Sequence, residues 1–270
     1  MWNTLIIQPM LNLLLWIYDL LFNNLGLAII FFTILIRLVT YPLTASQMKS
    51  SQKMQEFQGS KEWKDIQKKY KDDKEKLAQE QMKLYKEMGI NPMASCLPTI
   101  IQLPILFGLY GALNIAMAST PHQLLGLSKL IYPFIDATTL IPLNNQFLWM
   151  NLSQPERLYL FGLGIGIPSL TILVVITTWL QSKVMMPPTA NPGDQSAQMT
   201  KMMNLYMPFM MGFIAFSLAS GLALYFVTSN VVGIAQYAAM GKVNWKNLLP
   251  SFKINKEKTN KEKTNKEKTK

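Results

Sequence analysis

Apolar residues in this chain come in long blocks separated by joins of very unequal length. A helix that crosses hydrocarbon needs about 20 mostly apolar residues. The segments 25–46, 91–117, 158–183, 202–219 and 220–241 fit that length, the last two divided by a turn near Ser220 and Gly221. The pattern predicts an all-α polytopic membrane protein of five transmembrane helices, with an outer loop over 118–157 and a cytoplasmic loop over 184–201. Ahead of the first block, Gln8, Asn12, Asp19 and Asn23 fall within about 60° of one another on a helical wheel, and Leu, Ile, Trp and Met cover the rest. Residues 1–24 are therefore expected to lie as an amphipathic interfacial helix on the outer face. A sixth span is the alternative. The segment lacks the basic start and small-residue cleavage site of a signal peptide.

The long hydrophilic join is 47–90, rich in Lys, Glu, Gln and Met and free of proline up to Gly89. A break near Tyr70–Asp73 suggests two antiparallel helices of roughly 20 and 15 residues, with Gly89 as a C-cap and Asn91–Pro92 restarting the chain. Its apolar positions, Met54, Phe57, Trp63, Ile66, Leu77, Met82, Leu84 and Met88, form only a thin seam. The hairpin reads either as a solvated spacer or as a cytoplasmic platform for a client or partner. The end, 242–270, closes with NKEKT three times over and a final lysine. Such a charged repeat buries too little surface to fold; it suits anionic lipid or ribosomal RNA, or serves as a solvated orientation signal.

Charge sets the orientation. The formal net charge is +11 in 270 residues, half of them hydrophobic, and it is segregated. Residues 46–91 hold 11 Lys against 8 acids and 242–270 hold 10 Lys against 3 acids, whereas 118–157 carries only Lys129 and Arg157 against Asp136 and Glu156. Lysine and arginine gather on the cytoplasmic side of membrane proteins, so the N-terminus is expected outside and the C-terminus in the cytoplasm. A sixth span would upset that assignment.

Arg37 then stands out, because no other charge lies between Leu20 and Met48. Placing a guanidinium at membrane depth costs about 2.5–3.5 kcal/mol on insertion scales. Thr33, Thr40, Tyr41 and Thr44 share its helical face. Similar polar strips run along Asn91, Ser95, Thr99 and Gln102, along Thr171, Thr178, Gln181 and Ser182, and along Tyr225, Ser229 and Gln236, with Thr228 and Asn230 adjacent. Each strip runs from mid-bilayer toward the cytoplasm, which predicts a half-deep hydrophilic groove. Single hydroxyls on such helices commonly bond their own backbone or a neighbouring helix. An ion pair is the simple structural excuse for Arg37, yet the five spans contain no Asp or Glu. With one His, His122, and one Cys, Cys96, no metal site or acid–base pair can be assembled within the spans, so neither enzyme nor cofactor is expected. An anion channel or secondary transporter using Arg37 as its binding charge is the alternative function, although no inverted repeat is visible. Met185, Met186, Met199, Met202, Met203, Met207, Met210 and Met211 crowd the last loop and the fourth span, as adaptable packing or as a deformable slide for varied helices.

Several motifs stand together in order: GLAIIFFTILIRLVTYPL at 26–43, KYKDDKEKLAQEQMKLYKEMGINPMASCLPTIIQLPILFGLY at 69–110, TTWLQSKV at 177–184 and SGLALYFVTSNVVGIAQ at 220–236. From Leu25 to about Gln236 the chain resembles the YidC family of membrane protein insertases, in the five-span form without a large external domain. That resemblance implies a groove open to cytoplasm and lipid, closed outside, with Arg37 as its fixed charge. It implies that nascent membrane-protein clients pass their hydrophilic segments into the groove and their hydrophobic segments into the bilayer. The hairpin 47–89 would be required, and the basic tail resembles ribosome-binding tails; cooperation with the general translocon is left open. Phe226 stands where many members carry Trp. The groove is thus expected to be lined by Arg37, Thr33, Thr40, Tyr41, Thr99, Gln102, Gln181, Phe226 and Ser229, in a bacterial plasma membrane.

Overall fold

The computed structural model describes residues 1–58, 60–70, 73–89, 97–117, 120–136, 140, 142–159, 166–185 and 195–241. The basic tail, Cys96, Asn91, Ser95 and Met186 lie outside that set, and the side chains of Thr99, Met199 and Met203 are likewise not described. A π-helical turn, Asn3–Ile7, leads into α1 (Gln8–Leu20), followed by α2 (Leu25–Val39), α3 (Tyr41–Gln58), α4 (Lys61–Lys69), α5 (Lys74–Glu87), α6 (Leu97–Ala116) and α7 (Pro121–Ser128). Two small antiparallel pairs come next, β1 (Gln146–Phe147) with β2 (Met150–Asn151) and β3 (Leu158–Tyr159) with β4 (Gly166–Ile167), before α8 (Ser169–Met185), α9 (Gln195–Ser217) and α10 (Ser220–Ala239). Phe147 pairs with Met150 and Leu158 with Ile167.

Helix α10 is the axis of the bundle. It packs against α2 and α8 and touches α6, while α9 lies along α8, and α1 lies on α2 and α6. Residues 220–226 of α10 are all buried. The outward surface is the reverse of a soluble protein's: Phe31, Leu38, Phe107, Ile176, Phe209 and Phe213 are exposed. These side chains, on α2, α6, α8 and α9, offer apolar surface for contact with lipid or protein.

Helix lengths qualify the five-block expectation. Among the described residues only α10 is by itself long and apolar enough to cross a membrane; Gln102–Ala116, Ser169–Met185 and Leu205–Ser217 are apolar but shorter. The first block is not one straight helix. Leu25–Val39 and Tyr41–Met54 meet at a 60° bend at Thr40. Pro42 explains the break, because it has no N–H to offer the carbonyl four residues back and its ring crowds that turn.

The hairpin also departs from its expected two arms. The break before Lys74 is present, but the first arm is itself divided between Gln58 and Lys61. Ser60, in extended backbone, caps α4 by accepting from the Trp63 N–H at 3.3 Å. Cap and local backbone compete with helix continuation there. The Glu62 carboxyl is held below its usual range by its own backbone N–H and by Ser60. Phe57, Trp63 and Tyr85 close the seam, with ring centroids 5.4–5.5 Å apart. Met82 and Met88 are exposed, so Tyr85 fills the place the seam had assigned to methionine.

At the opposite end the helices are capped by loops. Asn12, expected on a wet strip of α1, is instead buried, donating to the Leu130 carbonyl at 2.8 Å and accepting from the Tyr132 N–H at 2.7 Å. The Tyr18 hydroxyl accepts from the Asn144 N–H at 2.8 Å. Gly26 carries the Phe147 ring directly against its Cα, where any Cβ would overlap it. Ser220 and Gly221 at the start of α10 donate their N–H groups to the carbonyls of Gln154 and Leu152. Glu156 caps α8 by accepting from the Ser169 hydroxyl at 2.8 Å and the Leu170 N–H at 3.0 Å, and it also accepts from Trp149 Nε1.

Candidate functional site

Arg37 is in the last turn of α2, and its Nε and Nη2 both donate to Ser229 Oγ on α10, at 2.9 and 2.5 Å. One face of α10 carries Tyr225, Ser229, Gly233 and Gln236 at helical spacing, and this face receives the arginine. Gln236 Nε2 donates to the Arg37 carbonyl at 2.9 Å. At Gly233 an added Cβ would sit 2.8 Å from Gln181 Nε2 and 3.9 Å from Arg37 Nη1, so α8, α2 and α10 converge on that glycine. A Gln102 amide donates to the Tyr225 hydroxyl, bringing α6 to the same face. Arg37, Gln102, Gln181 and Ser229 are thus gathered by four helices.

The remaining expected groove residues behave differently. The Thr33 hydroxyl is buried and donates to the Ile29 carbonyl at 2.6 Å. Thr40 and Thr44 likewise bond carbonyls of their own chain, Ile36 at 2.8 Å and Thr40 at 3.0 Å. Tyr41 is half-buried at the start of α3, and Phe226 is buried in the apolar core beside Tyr225. Asn230, one position along from the arginine face, spans to α8, donating to Thr177 at 3.1 Å and Thr178 at 2.9 Å.

The electrostatics turn on what Arg37 lacks. Among the described residues the ion pairs are Asp73–Lys76 and Glu80–Lys83, both exposed around α5, and Arg37 meets no carboxylate. Its guanidinium bonds one hydroxyl, Ser229 Oγ, and the Gln236 amide donates to its main-chain carbonyl. Two buried side-chain groups near this end also have no partner among the described residues: Gln236 Oε1 on α10 and Gln47 Nε2 on α3. Below them Gln52 Nε2 donates to the Tyr237 hydroxyl at 3.3 Å, and that hydroxyl donates to the Met185 carbonyl at 3.4 Å, tying α3 to α10 and α8. Gln47, Gln52 and Tyr237 escape a reading of the sequence, because glutamines in a charged helix look solvated and a tyrosine near a helix end looks interfacial. Two hollows lie elsewhere: about 230 Å³ between α8 and α9, lined by Ile176, Trp179 and Phe209, and about 340 Å³ at the capped end, lined by Asn12, Trp16 and Phe134.

A bundle of helices closed by loop caps at one end, carrying a hairpin at the other and holding a guanidinium without a carboxylate partner among the described residues, defines a mostly helical class of protein. Residues 16–247 match the 60Kd inner membrane protein family. The chain belongs to that family, whose curated members include the YidC membrane protein insertases. It is 35% identical over 224 residues to the membrane protein insertase YidC of Chlorobaculum tepidum, covering 81% of this chain and 33% of that protein. It is also 35% identical over 221 residues to the YidC of Fusobacterium nucleatum, covering 82% of this chain and 88% of that one. Against a crystal structure of an active YidC insertase with its first transmembrane domain resolved, the TM-score is 0.53 at 26% identity, over 82% of this chain and 42% of the other. The chain therefore spans about a third of the first group of relatives (33%) and most of the second (88%).

Proposed function

We propose that this chain is a membrane protein insertase that crosses a bacterial plasma membrane five times, over 25–46, 91–117, 158–183, 202–219 and 220–241. In this reading residues 1–24 lie on the outer face, and the hairpin 47–90 and the tail 242–270 are cytoplasmic. The observation that carries it is Arg37, held mid-bundle by Ser229 and Gln236 with no carboxylate among the described residues. A charge without an internal counterion is available to an external one. The loop caps on α8 and α10 at one end support a groove closed on the outer side, and the exposed phenylalanines of α9 support contact with lipid. The family match gives the anion-transporter alternative no support.

The physical cycle needs no nucleotide. A client's polar segment sheds water in stages by entering a half-deep groove, which shortens its path through about 30 Å of hydrocarbon. Arg37 attracts acids in that segment. The membrane potential, worth about 2.3 kcal/mol per charge per 100 mV, pulls the same acids outward. The client's apolar segment then leaves along exposed apolar helix surface into lipid, whose solvation supplies the drive. Partners are nascent membrane-protein clients and the bilayer, with the ribosome reached through the tail and the translocon as a neighbour.

Depletion and complementation in cells, scored by protease accessibility of a client with an acidic translocated segment, tests this. Arg37→Ala is expected to impair insertion strongly and Arg37→Lys to retain much of it. Full insertion by the Ala variant would exclude charge attraction.

A further inference from the structure

Within TTWLQSKV, packing against α10 uses Thr177, Thr178 and Gln181 and leaves Trp179 and Lys183 over. These two share another face of α8 with Val175 and Ile176, at helical spacing. Trp179 is 43% exposed. The Lys183 ammonium stands over its ring, 5.7 Å from the centroid, within cation–π range, and meets no carboxylate among the described residues. Beside this pair lies the hollow of about 230 Å³, walled by Val175, Ile176 and Trp179 of α8 and by Leu205, Pro208 and Phe209 of α9. Gly212 accounts for where it ends: a Cβ there would lie 2.4 Å from Val175 Cγ2, so α8 and α9 touch at that level and part beyond it.

The walls are apolar throughout, and side chains around an unfilled hollow forfeit dispersion contacts, so the site favours an apolar occupant. A helix, about 10–12 Å across with its side chains, lies over such a hollow without entering it. A single acyl chain enters. Lys183 then decides which lipid. It follows Trp179 by four residues, about 6 Å along the helix axis toward the cytoplasmic end. That places the ammonium where lysine snorkels to the headgroups and the indole where tryptophan borders the interface. A lipid with its phosphate at Lys183 therefore sends its chain along Trp179 and Ile176 into the hollow. The cytoplasmic leaflet carries anionic lipid, which lysine attracts.

We infer that Lys183 and the hollow between α8 and α9 form a site for an anionic glycerophospholipid of the cytoplasmic leaflet, with its phosphate on Lys183 Nζ and one acyl chain against Trp179. This rests on the topology of the insertase reading and goes beyond it, since the site lies on the face of α8 turned away from α10 and Arg37.

The test places the full chain in vesicles of equal phosphatidylcholine and phosphatidylglycerol, with brominated acyl chains on one lipid or on the other. Bromine quenches tryptophan emission on contact, and subtracting the emission of a Trp179→Phe variant isolates Trp179. Phosphatidylglycerol is expected to quench Trp179 as though enriched beside it roughly fivefold, the worth of one lysine near an anionic surface. Lys183→Gln is expected to abolish that preference and Lys183→Arg to keep it. Leu205→Phe narrows the hollow and is expected to lower quenching by both lipids. Equal quenching by the two lipids in the unaltered protein would mean ordinary surrounding lipid and overturn the proposal. So would a preference that survives Lys183→Gln, or quenching that Leu205→Phe leaves unchanged. Quenching lost whenever a hydrophobic client is engaged would give the hollow to the client's helix instead. The insertase reading is judged separately, by Arg37→Ala: dependence on Arg37 without a lipid preference strikes this site alone, and the reverse strikes that reading.

Discussion

Ser229 presents a single hydroxyl oxygen, and two nitrogens of Arg37 converge on it. Hydrogen bonds to charged groups are worth about 1.5–3 kcal/mol when the partner is lost in a buried setting. Ser229→Ala is therefore expected to lower the stability of the detergent-solubilised protein by that order, and Ser229→Thr to restore it, as read by thermal unfolding. An unchanged melting temperature for the Ala variant would show that Arg37 finds water or another acceptor without cost. Arg37 was legible in the sequence because a lone charge in an apolar block has few explanations. Its partner Ser229 was legible as a member of a polar strip, although the bond itself was not. Thr33 shows the limit: it shares the arginine's helical face, yet its hydroxyl is consumed by the carbonyl one turn back. A wheel gives direction but not the destination of a hydroxyl.

At the scale of elements, helices occupy much of the apolar blocks, but the expected third span 158–183 opens with strands β3 and β4 and is helical only from Ser169, and other irregularities come from single residues. Pro42 bends the first block, Ser60 divides the hairpin arm, and Asn12 turns from a wet face into a tie between α1 and the chain at Leu130–Tyr132. The join between hairpin and bundle is narrower still. Gln52 and the Met185 carbonyl meet the same Tyr237 hydroxyl, so Tyr237 couples α3, α8 and α10. Tyr237→Phe keeps the ring and removes both bonds. Its expected effect is faster limited proteolysis near Gln58–Lys61 with little change in bundle unfolding temperature. Unaltered cleavage kinetics would mean that the hairpin is held by its other contacts. None of this coupling was readable from the pattern, because each residue looked ordinary within its own helix.

The whole molecule is polarised. Caps from Ser220, Gly221, Glu156 and Asn12 tie loops over one end, where Asn145 Oδ1 is buried without a partner among the described residues, whereas the other end holds Gln47 Nε2 and Gln236 Oε1 likewise without one and carries the charged hairpin. The charge count along the chain already separated these ends, since 46–91 and 242–270 hold most of the lysines. The tail belongs to this scale because it acts through net charge, with 10 Lys and 3 acids from 242 on. Deleting 255–270 is expected to leave client insertion near normal and to weaken ribosome co-sedimentation most at low salt, as counterion release requires. Co-sedimentation that is unchanged would assign the tail to solvation and orientation alone.

By itself the sequence determined the mostly helical character, the positions of the apolar blocks, the segments that carry positive charge, and the presence of an arginine with no acid in its apolar block. These follow from composition and from periodicities that act over a few residues. The tertiary structure alone decided that Arg37 meets Ser229, 192 residues away, that Gln181 packs against Gly233, and that Gln52 reaches Tyr237 across 185. Such pairings depend on how helices cross and rotate against one another. Close packing sets that crossing through the summed fit of many side chains, and no local pattern along one helix encodes it.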